Sequence, residues 1–252
     1  MSSPSDRRLY SLKPSPWSER ARWVLDHHGL EYREIEHVPF LGERRLRRVA
    51  GKSKGRVTVP VLLAGQQVLG DSWDIARYAD REGRGEKLLP AELEADIRRW
   101  HDLMEASMSA GRTLTVASLL ASDGALEEAL PAPRLVRRLL LPVTRFGTRW
   151  FARKYELELQ AAAAAERAMC EGLDQLRSAL QRARYVLGRY SYADIIAATM
   201  LQGVVPVADR YLRLGPATRI AWTKVDVAAR YSELIAWRDR LYEQHRPRRH
   251  PV

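Results

Sequence analysis

The rhythm of apolar and polar positions changes about a third of the way along the chain. Up to about residue 85, short strand-like runs alternate with short helical ones. Arg8 to Leu12 is short and apolar and is followed by Pro14 and Pro16, which predicts a strand ended by a turn. Ala21, Val24 and Leu25 recur at helical spacing within 18–28, and Gly29 predicts the stop. Tyr32 to His37 alternates as a second strand, and 43–49 reads as a short basic helix. Residues 57–63 are β-branched and apolar, Gly65 and Gln66 suit a tight turn, 67–69 pairs back, and 71–80 is helical. The predicted order is β-α-β-α-β-β-α.

Beyond Lys87 the period is helical almost throughout. It is sustained over 92–120 and again over 157–183. In the second stretch an alanine run, Ala161 to Ala165, is flanked by Leu157, Leu159, Met169, Leu173, Leu176 and Leu180. Residues 192–211 and 232–245 predict further helices. Between them 123–155, with Pro131, Pro133, Pro142 and Gly147, interrupts the array. The fold class expected is a small α/β domain over 1–85 followed by an all-α domain over 86–252, with an atypical insertion at about 123–155.

Composition narrows the classes without changing this picture. The lone cysteine, Cys170, excludes an internal disulfide, and no Cys/His cluster has the spacing of a zinc site, so no metal is expected. Met1 to Arg8 lacks the apolar core of a signal peptide, and the uncharged stretch 195–208 is too short to span a bilayer. A cytoplasmic protein is expected. The formal charge of +11 would suit nucleic acid. The excess is shared between both parts of the chain, however. Its two acid-free stretches (Arg44, Arg45, Arg47, Arg48, Lys52, Lys54, Arg56; and Arg134, Arg137, Arg138, Arg145, Arg149, Arg153, Lys154) come with no helix-turn-helix, zinc-finger or RNA-binding aromatic signature. No specific nucleic-acid partner is expected.

Three short motifs carry candidate chemistry. Ser15 and Ser18 stand where a strand gives way to a helix. There a hydroxyl sits beside unpaired N–H groups and the positive end of the helix dipole, a setting that stabilises a bound thiolate. Either serine also suits a plain N-cap. Pro60 lies inside an apolar run, where a cis Val59–Pro60 bond would free the Val59 backbone for a peptide-like ligand; an edge-strand proline is the alternative. Asp71 and Ser72 open another helix, where N–H groups could hold a carboxylate and Asp71 an ammonium, or where both simply cap.

Taken in order, these motifs resemble the cytosolic glutathione S-transferases: a strand, a Ser15-Pro16-Trp17 loop with Arg20 five residues after the first serine, Val59-Pro60 before a hairpin, and Asp71-Ser72 opening a helix. Ser191-Tyr192-Ala193-Asp194 resembles the capping box of that family's helical half, with Tyr190 and Ile195 as its hydrophobic staple. The resemblance spans 8–82 and 157–210 and fails over 123–155. It implies a thioredoxin-like N-terminal domain that binds glutathione as co-substrate and a helical domain that accepts a small hydrophobic electrophile. It implies a homodimer that conjugates the thiolate to the electrophile or reduces a peroxide. By motif, Ser15 (alternatively Ser18) would stabilise the thiolate. Val59, beside Pro60, would pair with the cysteinyl backbone, and Asp71 and Ser72 would hold the γ-glutamyl end. A residue of the 44–56 patch would meet the glycyl carboxylate. The same resemblance admits a non-catalytic binding or scaffold protein, since the fold hosts both. His27, His28, Trp100, His101, Met104 and Tyr10 read as structural. Residues 131–155 are expected to be a helical insertion, split by Pro142 and Gly147, whose apolar residues Leu135, Val136, Leu139, Leu140, Leu141, Phe146, Trp150 and Phe151 pack over the cleft with the arginines in water. Peripheral membrane contact through Trp150 and Phe151 is the less favoured alternative.

Overall fold

The structure is a computed structural model and describes residues 7–130 and 132–246. Four strands, β1 (Arg7–Ser11), β2 (Arg33–Glu36), β3 (Val61–Ala64) and β4 (Gln67–Leu69), form one sheet in the order β2-β1-β3-β4. β1 runs parallel to β2 and antiparallel to β3, and β3 pairs antiparallel with β4 across the expected Gly65-Gln66 turn. Three helices punctuate them: α1 (Pro16–His27), α2 (Glu43–Val49) and α3 (Ser72–Glu82). This is the predicted element order and the thioredoxin-like arrangement that the resemblance implied. β3 begins later than its apolar run because Pro60 has no N–H to give to a ladder.

Alternation decides what each sheet face buries. Tyr10 and Val61 are paired neighbours on the face that packs Leu46, Val57 and Val59. Leu9 and Leu62, one residue away on each strand, are fully buried on the other face. On that side Arg7 Nε donates to the Tyr78 hydroxyl of α3 at 3.0 Å, and α3 packs along α1. Gly29, at φ +63, ends α1 in the left-handed region that suits glycine.

The helical remainder comprises α4 (Glu94–Leu120), α5 (Asp123–Glu128), α6 (Arg134–Leu139), α7 (Leu141–Lys154), α8 (Ala162–Leu180), α9 (Tyr192–Met200), a 3-10 turn (Leu201–Gly203), α10 (Pro216–Trp222), α11 (Val225–Arg230) and α12 (Ser232–His245). The helix predicted over 192–211 stops at Met200, and α10 and α11 were not foreseen; at seven and six residues they are too short to show a period. By internal packing the described chain forms two compact units, both discontinuous in sequence. One holds 7–101, 182–199 and 240–246; the other holds 102–181 and 200–239. In the second unit α4 and the 3-10 turn meet at Gly111 and Gly203, where a Cβ on Gly111 would lie 3.3 Å from the Gly203 Cα.

The 123–155 block is largely helical, as expected of an insertion, but it is not split at Pro142 and Gly147: Pro142 sits in the first turn of α7, where its missing N–H is not needed, and Gly147 lies inside the same helix. The break falls at Leu140 instead. The apolar residues expected to pack are largely in water, with Leu135, Val136, Leu139, Leu140 and Phe146 all exposed. Trp150 and Phe151, by contrast, are half-buried, the latter 4.6 Å from the Tyr155 ring centroid.

Candidate functional site

Strand register collects the three motifs at one end of the sheet. Tyr10, near the end of β1, pairs with Val61 at the start of β3, so the loop after β1 and the Val59-Pro60 step before β3 emerge together. Leu69, the end of β4, pairs with Leu62, so Asp71 and Ser72 leave from that same end. Two helix N-termini, those of α1 and α3, therefore open there.

At the first, Ser15 is the N-cap of α1, with Pro16 in the first turn. Its Oγ accepts the Ser18 N–H at 3.4 Å, which leaves the hydroxyl proton free to donate elsewhere. Ser15 is half-buried, whereas Ser18 is fully buried and its Oγ accepts the Leu12 N–H at 3.1 Å. Of the two serines, only Ser15 keeps exposed surface. At the second motif the Val59–Pro60 peptide is cis, and Val59 lies outside the β3 ladder. At the third, Asp71 is exposed and caps α3, its Oδ1 accepting the Asp74 N–H at 2.8 Å; Ser72 behind it is buried. Burial and then the Asp71 charge push the Asp74 carboxyl up, so this turn has a negative field that an ammonium would relieve.

The loop carrying Ser15 is held by a buried network whose extent the sequence did not reveal. Arg22 donates to the Lys13 carbonyl, to Glu34 of β2 and to Glu19, each at 2.9 Å. Glu19 also accepts from Arg246 Nε at 2.7 Å, and Arg246 reaches Asp26 at 2.7 Å. Burial alone would raise the Glu19 carboxyl, but the charges of Arg246 and Arg22 outweigh it and hold it below its ordinary value. The i,i+3 spacing of Glu19 and Arg22 was a legible signal; nothing in the sequence tied Arg246 to either. Arg20, the motif's arginine, is fully buried and donates to Thr199 Oγ1 at 3.0 Å, joining α1 to α9.

Four of the six residues read as structural are so placed. His28 Nε2 meets Asp80 at 2.7 Å, His27 Nε2 meets the Glu86 carbonyl at 2.9 Å, Met104 is fully buried, and Tyr10 is in the core. Within the basic patch Arg45 lies over the Tyr10 ring and Arg47 donates to the Gly55 carbonyl. A cavity of about 270 Å³ beside α2 is lined by Tyr10, Glu36, His37, Val38, Leu41, Gly42, Arg45 and Leu46. None of the motif residues lines it. No group of three or more metal-ligating side chains occurs among the described residues.

Residues 14–82 match the family model described as glutathione S-transferase, N-terminal domain. No curated protein matches the sequence. Solved structures resemble the whole chain at low identity. One is a glutathione S-transferase from Methylobacterium radiotolerans in complex with glutathione sulfonate: 19% identity, 98% of this chain and 97% of that one, TM-score 0.61. Rice GST1 in complex with glutathione is 20% identical over 97% of this chain and 93% of its own, at TM-score 0.57. The β-etherase LigF from Sphingobium is 19% identical over 92% and 99%, at TM-score 0.56. Residues 14–82 thus belong to the glutathione S-transferase N-terminal domain family, and the chain as a whole carries the glutathione S-transferase fold.

Proposed function

We propose that this protein is a glutathione transferase in which Ser15 stabilises the glutathione thiolate for attack on a small hydrophobic electrophile or a peroxide. The observation that carries the reading is the Ser15 hydroxyl, partly exposed at the start of α1 with its proton uncommitted, beside the N–H groups of the first turn. A donor aimed at sulfur favours the charged form of the thiol, and binding supplies proximity. Val59, outside the ladder beside cis Pro60, pairs with the cysteinyl backbone. Ser72 and the α3 N-terminus take the γ-glutamyl carboxylate, and Asp71 takes the ammonium. Neighbours solved with glutathione or its sulfonate support the choice of ligand. On this reading residues 1–85 bind glutathione, 86–252 accept the electrophile, and the protein works in the cytoplasm as a homodimer in detoxification.

The test is a titration of bound glutathione by its thiolate absorbance, together with turnover of a generic aryl halide. Ser15→Ala should raise the bound thiol pKa by about one to two units, roughly 1.4–2.7 kcal/mol, and lower kcat accordingly. Asp71→Ala with Ser72→Ala should instead weaken retention on immobilised glutathione, once the loss of a helix cap has been measured separately. Retention without turnover of any electrophile would identify a binding protein. Equal activity of wild type and Ser15→Ala across neutral pH would remove Ser15 from the mechanism.

A further inference from the structure

α6 and the start of α7 hold large apolar side chains in water. Leu135 is 73% exposed, Leu139 72%, Val143 60% and Phe146 53%, with Val136 and Leu140 beside them. Leu135 and Leu139, four residues apart, share one face of α6, and Val143 and Phe146, three apart, share one face of α7. One exposed leucine is ordinary, but six exposed large apolar residues within 135–146 are of the kind that marks a contact surface. Cations lie in phase with these faces. Arg138 follows Leu135 by three residues, and Arg149 and Arg153 follow Phe146 by three and seven; all three arginines are exposed. No acidic residue occurs from 129 to 155. Arg145, off the α7 face, is neutralised locally by Asp123.

We propose that the α6–α7 face docks on an anionic lipid surface. Leu135, Leu139, Val143 and Phe146 enter the acyl boundary while Arg138, Arg149 and Arg153 meet the headgroup phosphates. The pairing of aliphatic side chains with exposed arginines in an acid-free segment selects this occupant. A nucleic-acid backbone would satisfy the arginines and leave the leucines in water. A second copy joined through the same face would satisfy the leucines and bring like charges together. An anionic bilayer supplies both an apolar phase and negative charge. No described helix is long and apolar enough to cross a membrane, so the contact is peripheral.

Cosedimentation of the full chain with phosphatidylcholine vesicles, with and without roughly one-third phosphatidylserine, tests this. It is run at about 0.1 M and about 1 M salt, between which the Debye length falls from roughly 10 to 3 Å. The protein should pellet with the anionic vesicles at low salt, about tenfold less or weaker at high salt, and not with neutral vesicles. Two variants of exposed residues, Leu135→Ser/Leu139→Ser/Val143→Ser and Arg138→Gln/Arg149→Gln/Arg153→Gln, should each lose about tenfold or more of the partition while keeping the wild-type circular dichroism. Three outcomes overturn the proposal. In the first the wild type stays in the supernatant. In the second either variant pellets as the wild type does, which moves binding to another basic surface such as 44–56. In the third, without vesicles, the wild type self-associates in a way the leucine variant abolishes, which makes the face a contact between copies.

Discussion

Ser15 and Ser18 are separated by less than one helical turn, yet only one keeps solvent access. The Ser18 hydroxyl closes the Leu12 N–H, so its role is to shape the loop that presents Ser15. Beneath that loop Glu19 carries two arginines in a site with almost no water. Such a pair contributes little net stability by itself, but removing one partner strands the other charge. Glu19→Gln should therefore cost about 3–5 kcal/mol in urea unfolding. A loss below about 1 kcal/mol would show that water reaches the network. The sign with pH follows from the direction of the shift. The folded carboxyl titrates below its ordinary 4.5, so its contribution is present above pH 4.5 and is lost as pH falls through the folded value.

At the scale of the element, α9 starts on half of the predicted box: Asp194 bonds back to Ser191, but the Ser191 hydroxyl, expected to cap the first turn, does not. Asp194 Oδ2 accepts the Ser191 N–H at 2.9 Å and the Ser191 hydroxyl at 3.2 Å, and Oδ1 accepts the Val186 N–H at 2.8 Å. Ser191 thus donates to the carboxylate with its side chain, and both staple residues, Tyr190 and Ile195, are buried. Burial pushes the Asp194 carboxyl up to about 7 against the pull of its N–H donors. From its ordinary 3.8 up to about 7 the folded state keeps a proton that the unfolded state has lost, so stability falls as pH rises through that window. The limb has a slope of up to roughly 1.4 kcal/mol per pH unit. In Asp194→Asn, thermal melts should show this limb flattened. Stability should also be lower by about 1–3 kcal/mol, because the amide NH₂ must face a donor. An unchanged slope in the variant would assign the limb to another group.

For the whole molecule, the C-terminal segment is the first helix's distant partner. Trp23, fully buried on α1, donates its indole N–H to the His245 carbonyl at 3.1 Å and meets the Tyr242 ring at 4.5 Å, while Arg246 bonds Glu19 and Asp26. Deleting the chain from residue 240 onward should expose Trp23, shift tryptophan emission to the red and lower the melting temperature. The emission shift should shrink when Trp23→Phe is combined with the deletion. Unchanged emission and melting temperature would show that α1 is buried without this segment.

Local chemistry made much of this protein legible. The hairpin at Gly65-Gln66, the stop at Gly29, the cap at Ser15, the bounds of α2 and the Ser191–Asp194 box all depend on a few consecutive residues, and a sequence states those directly. The order of strands and helices followed from them; the convergence of the three motifs at one sheet end came only with the strand register. What lay beyond reach were relations between distant residues. Whether Ser15 or Ser18 faces out depends on which hydroxyl the Leu12 N–H takes. Arg246 pairs with Glu19 across 227 positions of chain, with no local sign of either partner. The apolar spacings of α6 and α7 are the same whether neighbours cover those faces or water does. Period decides that a face exists; only the packing of the rest of the chain decides what, if anything, lies against it.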